Sequence, residues 1–384
     1  LRRCENFCVE RISVLTGQKF DIAVIGAGIA GATVAAALSA DYKVALIEAE
    51  AQAGYHTTGR SAAIWVLNYG PPDVRVLTGL SRDFFLNPPA DISPVSLGTH
   101  RPNIYLAPAW QTAALDELIN QNLGIVELEI AEVKRQVPAL QDGYAVRAGL
   151  EDNAFDMDVA GLHQGFLTRM RRAGGVLLLR SRAGRIARKN AAWEVALAGG
   201  EIITAGIVVN AAGAWGDEVA AIAGVPPLGL VPCRRTAAII DPAPYEVTGW
   251  PMVQSAAHEW YVRAEARSKL MVTPCDETPM HPHDVQPDEL DVAIAIDRMQ
   301  QALDIPVRRI EHSWAGLRTF APDRSLAFGW EKSVPGFFWC VGQGGYGIQT
   351  APAAGQLVAD LIAGRDPGAA ASVIAAVDPM RFRN

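Results

Sequence analysis

The chain has 384 residues, with 34 Lys and Arg against 41 Asp and Glu, for a formal net charge of −7. Half the residues are apolar and a fifth are charged, which excludes wholesale disorder and allows a large core. The acidic balance excludes a general nucleic-acid binder, which needs a basic face. No charge-free apolar stretch of about eighteen residues predicts a transmembrane helix.

At roughly 100–200 residues per domain, the length predicts two domains. Cys4, Cys8, Cys233, Cys275 and Cys340 are odd in number and form no CxxC pair. They predict neither a disulfide framework nor a zinc site, and they fit a reducing compartment. The expected location is the cytoplasm, or the periphery of a membrane. Residues 1–19, broken by charges such as Arg3, Glu5 and Arg11, read as a leader or loose arm.

In chain order, 20–25 is a short apolar strand, 32–40 an Ala-rich helix and 43–48 a second strand ending in an acid. Together they form a βαβ unit. Pro-rich patches follow at 71–72, 88–94 and 102–108. Helices are expected at 110–123 and 156–172. Alternation from 176 to 197 predicts strands with a turn at Lys189-Asn190, and 202–209 is another apolar strand. The stretch 226–314 reads as short strands split by Pro, Asp and His. A helix is expected over about 349–363.

Gly26, Gly28 and Gly31 form GxGxxG between the first strand and the first helix. In this setting the first glycine makes a tight turn. The second lets the backbone approach a pyrophosphate, and the third lets helix and strand pack closely. The helix N-terminus, with Ile29 and Ala30, then faces the anion. Glu48 ends the second strand, where a carboxylate can accept from a ribose diol, and no Arg or Lys follows at once to favour a 2′-phosphate.

Three further segments have no obvious use in a protein that binds NAD alone. They are the GRSAA run within 54–63, Asn210-Ala-Ala-Gly-Ala-Trp215, and the glycine loop 342–349 that opens the last helix. That last loop offers backbone N–H groups and a positive dipole end.

GxGxxG with Glu48, GRSAA, NAAGAW, WAGLRTFAPD and GQGGYGIQTAP occur in this order. So arranged, the chain resembles the D-amino-acid oxidase superfamily of FAD enzymes from about Phe20 to about Ala363. Within it the bacterial FAD-dependent D-arginine dehydrogenases are the nearest likeness. The resemblance implies an α/β (α+β) fold: a discontinuous Rossmann-like FAD-binding domain plus a substrate domain on a mixed, largely antiparallel sheet. It implies FAD-binding segments at 20–70, 155–225 and 315–384, and substrate-binding segments at 71–154 and 226–314.

For the cofactor it implies Glu48 and Ala49 at the adenosine, and Ala183 at the adenine. Thr57, Thr58, Gly59, Arg60, Ser61, Ala62 and Ala63 are expected around the pyrophosphate and flavin edge. Ala212, Gly213, Trp215 and Gly316 are also expected in the cofactor site. Gly344, Gly345, Tyr346, Gly347, Ile348 and Gln349 are expected at the flavin ring. No cysteine lies in 316–320, so the flavin is expected to be non-covalent.

For the substrate it implies Arg318 as a two-pronged carboxylate ligand, which only a guanidinium supplies in planar form. Tyr69 and Tyr261 would close over the carboxylate. Arg235 would be a second cation, with Arg234 as the alternative register. Gly345 would offer its carbonyl to the amine.

D-arginine dehydrogenases carry a histidine where this chain has Ile64, and a glutamate near the position of Pro94. With Val66, Met252 and Gln349 nearby, the expected substrate is a neutral or apolar D-amino acid, or a secondary amine. The expected electron acceptor is a quinone, oxygen or a carrier protein. A 2-hydroxy-acid dehydrogenase, a non-catalytic flavoprotein and an NAD-linked enzyme are the alternatives. His281, His283 and Asp284 resemble metal ligands but read as a solvated loop. His56 shows no evident acid partner, and His258, beside Trp260 and Tyr261, is a further candidate for the pocket.

Overall fold

The computed structural model describes residues 17–265 and 268–383. Cys4, Cys8 and most of the expected arm lie outside the described residues. Two large sheets organise the chain. The first has eight strands. Its centre is parallel: Phe337–Val341, Ile202–Asn210, Lys19–Ile25, Val44–Ile47 and Val176–Leu178 lie side by side in that order. Such strands are buried on both faces and read as continuous apolar runs, as VALI does at 44–47. The antiparallel hairpin Ala183–Lys189/Ala192–Leu197 extends one end of Ile202–Asn210.

The helix Ile29–Leu38 covers this sheet and packs on the helix Gly347–Ala363. Small residues make that approach close. A Cβ on Gly355 would stand 2.6 Å from the Thr33 Cβ.

The second sheet has nine strands and is mostly antiparallel. Its longest pairing joins Val231–Ile240 to Ile310–Phe320. Strand alternation divides its residues by face. Ile104, Leu106, Ala238, Val253, Val262, Leu270 and Val272 bury themselves against the helix Glu289–Ala302. The opposite face carries Arg235, Tyr261, Met252, Gln254 and Arg318. This is the mixed α/β architecture expected.

Several helices were not anticipated. Pro72–Leu86 reads in sequence as a proline patch, yet proline suits the first turn of a helix, where its missing N–H costs nothing. Glu289–Ala302 is capped by the Asp288 carboxylate, which accepts from the Leu290 N–H at 2.9 Å. The short helix Ile130–Gln136 was also unforeseen. Residues 72–86 were expected in the substrate-binding unit. Their Val74, Leu77 and Phe85 instead share one core with Val24, Leu46 and Leu357.

Gly355→Ala should force the two packed helices apart and lower stability by about 1–3 kcal/mol. Denaturant unfolding with unchanged m-value measures this.

Candidate active site

Two connected cavities run between the sheets. One, of about 410 Å³, is an elongated cleft along the carboxyl ends of the parallel strands. The other, of about 780 Å³, is a chamber beneath the second sheet. Ser61, Ala62, Arg235, Tyr261, Arg318, Gly345 and Ile348 line both.

The cleft begins at Glu48, Ala49 and the 181–184 turn that holds Ala183. It passes Gly26, Gly28, Ile29 and Ala30, then Thr57, Thr58 and Arg60 on one side, and Ala212, Gly213 and Trp215 on the other. It ends at Gly316, Gly344 and Gly347.

The three fingerprint glycines differ in what they do. A Cβ on Gly26 would strike the Ala211 carbonyl oxygen at 2.5 Å, and one on Gly31 would strike that of Gly26 at 1.9 Å. These two are required by packing. Gly28 is the least crowded of the three: a Cβ there would press only on the Thr58 Oγ1, at 3.2 Å, and its backbone lines the cleft. A long cleft with a glycine-lined helix N-terminus at its middle and an acid at one end fits an adenine dinucleotide.

Several side chains in the cleft already have protein partners. Glu48 accepts from the backbone N–H groups of Ala27 and Glu50, both at 2.9 Å. Thr58 accepts from the Ile29 N–H at 2.9 Å. Arg60, expected at the cofactor, lines the cleft but donates to the carbonyls of Val285 and Ala315 and pairs with Asp284. Asp284, considered with His281 and His283 as a metal ligand, is thereby drawn onto Arg60. His56 does have an acid partner: its Nε2 lies 3.0 Å from Glu50 Oε1, and its ring rests 4.6 Å from that of Trp215.

Five expected cofactor residues do not line the cleft. Gly31 and Gly59 line neither cavity. A Cβ on Gly59 would meet the Gly54 carbonyl oxygen at 2.8 Å, so it too serves packing. Ala63, Tyr346 and Gln349 face the chamber, as do Ile64 and Met252. The Gln349 amide is tied to Thr78 Oγ1 and the Val66 N–H. Cys340 is buried in the core, its thiol pushed up to about 12 mainly by burial.

The junction is built by strand register. Arg318 lies opposite Cys233, and Arg235 opposite Gly316, so both arginines share the cavity face. Arg234 takes the other face and pairs with Asp288 and Asp291. Arg235 is not a free cation. It donates to the Asp276 carbonyl at 2.8 Å and pairs with Glu277 at 3.1 Å.

Arg318 has no carboxylate partner among the described residues. Its one protein hydrogen bond runs from Nη1 to the Tyr69 hydroxyl, at 2.8 Å. Burial opposes its charge, but Tyr69, Tyr261, Cys275 and Glu277 around it together raise its pKa above the usual arginine value. Gly345 leaves it space, since a Cβ there would sit 2.7 Å from the Tyr69 hydroxyl and 2.8 Å from Arg318 Nη1. The Tyr261 hydroxyl makes no protein hydrogen bond among the described residues, and burial raises its pKa.

Three contributors carry no motif. Glu151 is buried and accepts from the Leu67 N–H at 2.8 Å, the Asn68 N–H at 3.2 Å and the Tyr105 hydroxyl at 2.7 Å. It thereby fixes the backbone that presents Tyr69. Arg75 lines the chamber from the unforeseen helix. His258, at φ 55°, stands in the chamber with Nδ1 2.9 Å from Gln254 Oε1. Gln254 in turn donates to Asn103, which assigns the proton to His258 Nδ1 and leaves Nε2 as an acceptor. Only His258 was flagged by the sequence, through its aromatic neighbours. The chamber is thus apolar at Ile64, Val66, Met157 and Met252, but polar at its far end.

The chain matches the family model for FAD dependent oxidoreductases (DAO) over residues 21–361. It belongs to that family. The cofactor of the family is FAD, and the cleft fits it. Solved structures with the same fold include the L-proline dehydrogenase of P. horikoshii (TM-score 0.82, 23% identity, covering 95% of this chain and 98% of that one). The glycine oxidase of Geobacillus kaustophilus superposes at TM-score 0.80 with 20% identity, over 91% and 96% of the two chains. An iminodiacetate oxidase from Chelativorans sp. BNC1 does so at 0.75 with 19% identity, over 90% and 96%. A Bos taurus protein, FAD-dependent oxidoreductase domain-containing protein 1, is 28% identical over 177 residues, 41% of this chain. The chain spans about a third (35%) of that relative's length. No helix among the described residues is long and apolar enough to cross a membrane.

Burial, with Arg235 and Arg75 nearby, lowers the His258 pKa from 6.5 to about 4. Between these values the folded protein binds fewer protons than the unfolded chain, so stability falls as pH drops through that range. Denaturant unfolding from about pH 7 to about pH 4 should show a shallower fall in His258→Gln.

Proposed function

We propose that the protein oxidises the carbon–nitrogen bond of a small amino acid, with Arg318 holding the carboxylate. The carrying observation is a guanidinium without an acid partner where the cofactor cleft meets the chamber. A partly buried cation left so is stable only if something anionic completes it. A carboxylate matches its planar donors two for two.

Tyr69 is held against Arg318 and restricts where the carboxylate can lie. Tyr261 presents a free hydroxyl to the same place. The Gly345 backbone, close against Arg318, is positioned to offer its carbonyl to the substrate amine. FAD, when bound, supplies the acceptor for a hydride, which carries the two electrons of the oxidation. The chain itself contributes position, and exclusion of water by the apolar wall. The imine released hydrolyses to a 2-oxo acid and ammonia, or to an amine if the nitrogen is substituted. Proline, glycine and iminodiacetate, for which three of the structural neighbours are named, each join an amine carbon to a carboxylate.

D-Arginine fits poorly. Asp91 is engaged with Arg169 and Asp83 with Asn87, and neither lines the chamber. The reading therefore favours a D-amino acid other than arginine, or a secondary amine, with non-covalent FAD. The electron acceptor is a quinone, oxygen or a carrier protein.

Anaerobic addition of amino acids, sarcosine and 2-hydroxy acids should bleach the yellow flavin with one class of amine. Arg318→Met should weaken apparent substrate binding about 10- to 100-fold, with Arg318→Lys between the two. Reduction by 2-hydroxy acids alone, or unaltered kinetics in Arg318→Met, overturns the reading.

A further inference from the structure

The chamber holds a second guanidinium without an acid. Arg75 is half-buried, and its Nε donates to the Gly70 carbonyl at 2.7 Å. It forms no ion pair among the described residues, and its remaining donors have no protein acceptor there. The anchor is specific: Gly70 has φ 96°, and a Cβ there would meet the Tyr346 ring at 2.9 Å.

The chamber's acids do not neutralise Arg75. Glu277 is taken by Arg235 and Arg324, and Asp323 by Arg381. Glu117, on the helix Thr112–Asn120, is exposed and forms no ion pair with Arg75 among the described residues. Arg75 and Arg318 are held by consecutive residues, one on the Gly70 carbonyl and the other on the Tyr69 hydroxyl. Two guanidiniums without an ion pair among the described residues thus line one cavity.

We propose that Arg75 forms a distal anion subsite, and that the substrate is a dicarboxylic amino acid or secondary amine. One carboxylate, next to the reacting carbon, sits on Arg318. The second, a few carbons away, sits on Arg75. The apolar wall of Val66, Met157 and Met252 lies along the intervening carbons. This rests on the carboxylate clamp of the proposed function and corrects the expectation of a wholly neutral or apolar pocket.

The test compares unreactive straight-chain dicarboxylates, from malonate to adipate, with the monocarboxylates of equal length. Binding to the flavin-loaded protein is read from perturbation of the flavin spectrum and from Tm. One dicarboxylate length should bind at least about 10-fold more tightly than its monocarboxylate. Arg75→Met should erase that ratio and Arg75→Lys should recover part of it, so that a poorly folding Met variant leaves a second reading. Arg82→Met, on the exposed side of the same helix, should keep the ratio.

No length preference in the wild type, or a ratio that survives Arg75→Met, overturns the subsite. Amines that bleach the flavin with no dicarboxylate preference refute the subsite alone. Dicarboxylates that bind through Arg75 while no amine bleaches the flavin refute the oxidation and leave the subsite standing.

Discussion

The structure depends on one uncompensated charge. Arg318 sits on a long strand, on the face turned to the cavities, hydrogen-bonded among the described residues only to a tyrosine hydroxyl. A guanidinium in that position costs stability unless an anion arrives. The surroundings keep it in place and available. Gly345 leaves it room, Arg235 beside it is neutralised by Glu277, and Arg234 is turned to the opposite face.

The nine-stranded sheet makes this economical. A strand presents alternate residues to opposite sides. The same strands therefore supply an aliphatic core against the helix Glu289–Ala302 and a polar cavity wall. A single-residue slip between Val231–Ile240 and Ile310–Phe320 would exchange the two faces. The ten-residue pairing, closed on its far face by buried aliphatic side chains, fixes the register and with it the placement of Arg318.

The cofactor cleft is built from backbone more than from side chains. Two fingerprint glycines are demanded by contacts within the protein, and Gly28 is the least crowded of the three. Thr58 and Glu48 tie the turn to its neighbours, and Arg60 clasps the 284–285 loop. Several residues that look like ligands in sequence therefore work by shaping the cleft.

By itself the sequence determined the βαβ unit, the glycine turn and the last helix. Each is written within a short window, where periodicity and spacing carry the signal. The helices Pro72–Leu86 and Glu289–Ala302 went unread, although a first-turn proline and a capping Asp288 mark their starts. Only tertiary structure decided what Arg75, Glu151 and His258 do. Their partners are one backbone carbonyl, two backbone N–H groups with a buried phenol, and a glutamine amide, brought together from separate segments. None is marked by a repeat or a spacing, because what matters is which cation lacks an acid and which carboxylate holds a loop. Those are properties of neighbours in space, and they exist once both sheets have closed around the chamber.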